Sequence, residues 1–191
     1  MKILTTQIIN GQIIENEQLQ SLHYDKDGTE RLLLNLYPQI AFQTILGFGG
    51  AMTEAAGSVL CQLPEGERQK IIESYYGKDG LGYTLIRTHM DSCDFSLGNY
   101  CADDVPGDIE FAHFSLERDN KHIIPFLKEI KRISEDFKLF MAPWSPPAYM
   151  KTNNNRNGGG ELKPEYYRAW ARYLAHYIKE YEKAGLPVFC I

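Results

Sequence analysis

Two short apolar runs in this sequence each lead directly into side chains that could do chemistry. Tyr83 to Arg87 is followed by Asp91-Ser92-Cys93-Asp94. Two carboxylates three residues apart at the mouth of a strand have the composition of an acid/base pair. Aspartates in loops also cap backbone amides, and that structural role is the commoner one. Arg87 closes the run itself. An arginine at the end of a strand that points toward a barrel lumen is costly unless a carboxylate meets it, and no sequence neighbour supplies one. The second run, Lys138 to Ala142, leads into Ala142-Pro143-Trp144-Ser145-Pro146-Pro147. The prolines fix a rigid loop, which would hold Trp144 as an aromatic wall against a ligand; a core tryptophan is the alternative.

Other chemistries find little support. Gly47-Phe48-Gly49-Gly50 has the start of a dinucleotide-binding fingerprint, but Met52 stands where a third small residue is needed, and the next strand ends in Arg87 rather than an acid. A tight turn with close backbone approach is the better reading. The five histidines (His23, His89, His113, His122, His176) lack metal-ligand spacing, and His176 falls on a helix surface or interface. No G-x-S-x-G elbow is present. Cys61, Cys93, Cys101 and Cys190 are scattered without a C-x-x-C pair, which fits a reducing compartment. Net charge is −5 without a basic cluster, which argues against nucleic acid as a partner. The N-terminus lacks a secretory signal, and no run approaches the roughly 20 apolar residues of a membrane span, so a cytoplasmic location is expected.

The elements that must position these residues change character along the chain. Residues 1 to 45 read as β, with a hairpin from Ile8 to Ile14 around Asn10-Gly11 and a second apolar run from Arg31 to Tyr37. From 46 to 191, short apolar runs alternate with helices. Strands are expected at Thr44 to Phe48, Tyr83 to Arg87, Lys138 to Ala142 and Pro187 to Ile191. Helices are expected from Thr53, from Pro64 to Tyr76, from His122 to Ser134 with Pro125 in its first turn or kinking it, and from Tyr166 to Tyr181. The long loop from His89 to Asn120 has the length of a functional one, and Asn153 to Gly160 reads as a mobile tip. Four strand–helix repeats with apolar strands argue an α/β fold with a parallel sheet covered by helices. A chain closing on Phe189-Cys190-Ile191 stops within such a strand, so a fragment of a larger domain is expected.

Read together, Gly47-Phe-Gly-Gly-Ala-Met-Thr-Glu54, Tyr83-Thr-Leu-Ile-Arg87, Ser92-Cys-Asp-Phe-Ser96, Ala142-Pro-Trp-Ser-Pro-Pro147, Met150-Lys-Thr-Asn153 and Trp170-Ala-Arg-Tyr173 resemble glycoside hydrolase family 30, in its glucosylceramidase branch. The resemblance runs from about Phe42 to the end, in the family's order. It implies the N-terminal part, about four β/α units, of a (β/α)8 TIM barrel, with residues 1 to 45 lending strands to a β-rich side domain. It implies a retaining β-glycosidase acting on a β-glucoside or glycolipid, with no cofactor. Such chemistry uses two glutamates about 5 Å apart, one protonating the leaving oxygen and one attacking the anomeric carbon. In the family the acid/base lies in an Asn-Glu-Pro motif just after a strand like Val188 to Ile191, so neither glutamate falls in this sequence. No catalytic residue is therefore assigned, and association with a C-terminal half is expected. The resemblance carries sugar contact to Asp94 and Trp144, a place in the pocket wall to Phe95, and the orienting of a catalytic glutamate to Arg87; it gives Asp91 no role. A non-catalytic carbohydrate-binding or regulatory half-barrel, and a family member acting on xylan or β-1,6-glucan, are the alternatives.

Overall fold

A computed structural model of the chain describes residues 2–19 and 35–191. The expected run from Arg31 to Tyr37 lies outside the described residues up to position 34, and 35–37 form no strand. The chain divides into two compact units, Met1–Thr44 and Ile45–Ile191.

In the first unit, β1 (Lys2–Ile9) pairs antiparallel with β2 (Gln12–Leu19), Ile9 facing Gln12. Both turn residues, Asn10 and Gly11, have positive φ (51° and 76°). That is the two-residue turn whose twist matches a hairpin, and Asn-Gly is the pair that reaches it with least strain.

The second unit contains a four-stranded sheet in the order β3 (Gly49–Ala51), β4 (Leu85–Met90), β5 (Lys138–Pro143), β6 (Val188–Cys190), every pair parallel. Parallel neighbours need a crossover, and helices supply it: α1 (Glu54–Cys61) and α2 (Glu65–Tyr76) precede β4, α3 (Glu117–His122) and α4 (Ile124–Ile133) precede β5, and α5 (Tyr167–Lys183) precedes β6. Ile86, Met90, Leu139 and Met141 are buried in one core with Leu127 and Ile130 of α4 and Tyr173, Tyr177 and Tyr181 of α5. Alternation then sets Leu85, Arg87 and His89 on the sheet face opposite Ile86, Thr88 and Met90. No helix of the described residues is long and apolar enough to cross a membrane.

Two elements depart from the sequence expectation. The first strand is not Thr44 to Phe48 but the glycine stretch after it. Phe48 O accepts hydrogen bonds from Thr84 N and Leu85 N (2.9 and 3.0 Å), and a Cβ added at Gly49 would lie 1.6 Å from Leu85 O. Backbone approach, rather than apolar content, decides where that strand pairs. The helix expected from His122 to Ser134 is α4, with Pro125 in its first turn, where the missing N–H costs nothing; the departure is the short α3 before it, which begins within the expected His89 to Asn120 loop.

Gly49→Ala is expected to destabilise this unit by about 1–3 kcal/mol, the scale of an overpacked core position. A urea titration that finds the midpoint unchanged would refute that close approach.

Candidate active site

The loops leaving β4 and β5 enclose a cleft of about 570 Å³. Asp94 and Trp144 both line it, with Ser92, Asn99, Ser145, Arg156, Asn157 and Gly158 among their neighbours. Asp94 is exposed and Trp144 is 44% exposed, so both present surface to a ligand. The Arg87 guanidinium carbon sits 5.3 Å from the centre of the Trp144 ring, within cation–π range. Among the described residues Arg87 forms no ion pair with a carboxylate. Phe95, exposed at 59%, is not one of the residues lining this cleft; its carbonyl accepts a hydrogen bond from Ala55 N (3.0 Å).

Asp91, directly after β4, turns the chain with a φ of 59°. Its carboxylate is buried, and Oδ1 accepts hydrogen bonds from Ala102 N (2.8 Å) and from the Tyr173 hydroxyl (2.6 Å). Arg156 Nη1 donates to Oδ2 at 3.2 Å. Burial pushes the Asp91 pKa above the ordinary carboxylate range, and Arg156 and Tyr173 pull against it. A group buried so completely and surrounded by donors cannot exchange protons with a substrate, so the acid/base reading of Asp91 with Asp94 fails and the structural one stands.

A second buried carboxylate, Glu54 at the start of α1, holds the β4 loop from the other side. It accepts from Leu97 N (2.8 Å) and meets Arg118 Nε and Nη2 in a two-pronged pair (2.6 and 2.7 Å). Burial raises its pKa, but Arg118 and the Leu97 amide outweigh that and leave it lowered. His89 bridges the two regions. Its Nδ1 contacts Asp91 O (2.5 Å) while Glu54 N donates to Nε2 (3.0 Å), which fixes one neutral tautomer. Burial lowers its pKa further.

The α5 tyrosines, expected from their helical spacing, serve as more than apolar filling. Tyr173 reaches Asp91, while Tyr177 donates to Asp119 Oδ2 and Tyr100 to Asp119 Oδ1 (2.9 Å). Helical spacing shows which face of α5 is buried but not what its hydroxyls meet. Arg156 went unnoticed in the sequence because it sits in an Asn/Gly-rich stretch that resembles a free tip. That stretch is instead laced internally: Asn153 Nδ2 donates to Asn157 O and Gly159 O, and Asn157 N donates to Asn155 Oδ1. Among the described residues no group of three or more His, Cys, Asp or Glu side chains is arranged to hold a metal ion.

A strand-and-helix unit with its polar cleft at the carboxyl ends of parallel strands is the layout of barrel enzymes. Residues 45–191 match the family model described as the glycosyl hydrolase family 30 TIM-barrel domain. The chain belongs to glycosyl hydrolase family 30. It is 37% identical over 177 residues to the lysosomal acid glucosylceramidase of Mus musculus, covering 90% of this chain and 34% of that protein. Among solved structures it is similar to SrfJ from Salmonella typhimurium (39% identity, TM-score 0.81, 92% of this chain and 39% of that one). The endo-β1,6-glucanase BT3312 follows (32% identity, TM-score 0.72, 81% and 35%). The β3–β6 sheet and its helices are thus part of a (β/α)8 barrel, and the family 30 chain spans about a third of the length of the curated relatives it matches.

The buried network predicts a pH response. Burial raises the Asp119 pKa to about 7, the Tyr177 and Tyr100 hydroxyls opposing it. Unfolded, the same group ionises near ~4. Its stabilising contribution is complete below about pH 4 and is lost as pH rises through about 7. Urea midpoints of Asp119→Asn should therefore fall less than those of the parent between these two pH values; parallel curves would exclude Asp119 as the titrating group.

Proposed function

We propose that this chain forms the sugar-holding part of a retaining β-glycosidase that hydrolyses β-glucosides, glucosylceramide among them. The observation that carries the reading is the convergence of Asp94 and Trp144 on one cleft at the carboxyl ends of β4 and β5, with Arg87 against the Trp144 ring. Membership of family 30 and the likeness to an acid glucosylceramidase support it.

Each side chain has a task that its chemistry suits. An exposed carboxylate such as Asp94 accepts hydrogen bonds from sugar hydroxyls, and two such bonds fix the ring's rotation in the cleft. The Trp144 face covers the apolar C–H surface of the sugar. Phe95, next to Asp94, offers an exposed ring as an outer wall for the aglycone side. Arg87 holds a catalytic glutamate in orientation; it lies on the sheet face opposite the helices, and among the described residues it forms no ion pair that would compete for it. The acid/base and nucleophile glutamates lie outside these 191 residues, on a C-terminal half that completes the barrel. Residues 1–45 add strands to a β-rich side domain. Retention requires the two glutamates to be about 5 Å apart, so the half-barrel alone holds sugar without cleaving it. A β-1,6-glucan substrate is the second reading, favoured by the likeness to the β1,6-glucanase.

The isolated chain is expected to give no turnover of a chromogenic β-glucoside above a Trp144→Ala control; clear excess turnover would overturn the assignment of catalysis to another segment. Calorimetry with methyl β-glucoside should show binding that weakens by about tenfold or more in Asp94→Ala, the loss of charge-assisted hydrogen bonds. Equal affinity in that variant would remove Asp94 from the site.

A further inference from the structure

Arg156 stands apart from its surroundings. From Asn153 to Gly160 every other residue is exposed, while the Arg156 side chain is only 7% exposed. That stretch has no apolar side chain to bury, so its attachment to the rest of the unit depends on polar bonds. Arg156 makes them in two directions. Its guanidinium enters beneath the β4 loop, where Nη1 donates to Asp91 Oδ2 (3.2 Å) and to Cys101 Sγ (2.8 Å) and Nη2 donates to Ser92 O (3.0 Å). Its own carbonyl accepts from Ser145 Oγ (2.8 Å) and from Lys151 Nζ (2.9 Å). Ser92 lies two residues before Asp94, and Ser145 directly follows Trp144. One residue is therefore bonded to the flanks of both cleft residues, and its neighbours Asn157 and Gly158 form part of the same wall.

We propose that Arg156 is a positioning residue for the sugar cleft, setting the separation of Asp94 and Trp144 by joining the β4 and β5 loops through one guanidinium and one carbonyl. The assignment of sugar to this cleft is the reading given above; the joining of the two loops stands on geometry alone. The competing role is charge balance, Arg156 serving only to neutralise the buried Asp91. The two roles make different demands. Charge balance needs a cation and nothing more. Positioning needs the planar fork, which reaches Asp91 and Ser92 O together; an ammonium is a point charge and cannot span them. A buried ion pair also contributes little net stability relative to apolar side chains of similar volume, so removing both charges together is tolerable.

The test uses the chain with Trp170→Phe, leaving Trp144 as its one tryptophan, and compares Arg156→Met, Arg156→Lys and the double variant Asp91→Asn/Arg156→Met. Thermal midpoint reports charge balance, acrylamide quenching of Trp144 reports the loop, and calorimetry with methyl β-glucoside reports the cleft. Arg156→Met should lower the midpoint, and the double variant should recover most of it. In both, and in Arg156→Lys, quenching should rise about twofold as the loop opens locally, and sugar affinity should fall about tenfold, roughly one lost hydrogen bond to a charged group. Parental quenching and affinity in the double variant or in Arg156→Lys would overturn the proposal and leave Arg156 as a counter-charge. Raised quenching in a chain whose parent binds no glucoside would uphold the positioning role while removing the sugar assignment.

Discussion

Asp91 ends β4 in the left-handed region with its carboxylate fully enclosed, and much of the second unit can be traced from that requirement. A buried carboxylate is tolerable only when donors meet it. Here they come from three separate places: Ala102 in the loop after β4, Tyr173 on α5, and Arg156 in the loop after β5. Satisfying one side chain thus docks the last helix and shapes both loops at the carboxyl end of the sheet. Glu54 repeats the device at the start of α1, where Arg118 and the Leu97 amide meet it.

This arrangement separates two kinds of charge. The buried carboxylates of Glu54, Asp91 and Asp119 are committed to amides, hydroxyls and guanidiniums, and their role is to fix backbone. Asp94, three residues beyond Asp91, remains exposed and uncommitted at the cleft. Arg87 is likewise held against an aromatic face rather than a carboxylate.

Sequence reading named two residues, Asp94 and Trp144, that the structure sets on one cleft. Pro-flanked Trp144, strand-ending Arg87 and Asp94 could be named because each sits just after an apolar run, where barrel loops place functional groups. The alternation of strands and helices gave the parallel sheet, since local period and turn residues are readable within a few positions. Three things were misplaced or left incomplete for a common reason. The first strand, the partners of Asp91 (whose structural role was the favoured reading) and the Asn153–Gly160 loop each depend on a residue far away in the chain. Gly49 is placed by Leu85, Asp91 by Arg156 65 residues later and Tyr173 82 residues later, and the loop by its bonds to the β4 segment.

By itself, then, the sequence determined most of the segments that become strand or helix, which turns are tight, and which family the chain joins, because those properties reside in periodicity, caps and short motifs. Only the tertiary structure decided which distant donors meet the buried Asp91, and that an arginine in a glycine-rich loop lies beneath the cleft. Burial and long-range hydrogen bonding give identical side chains opposite roles, and neither is encoded within a window of a few residues.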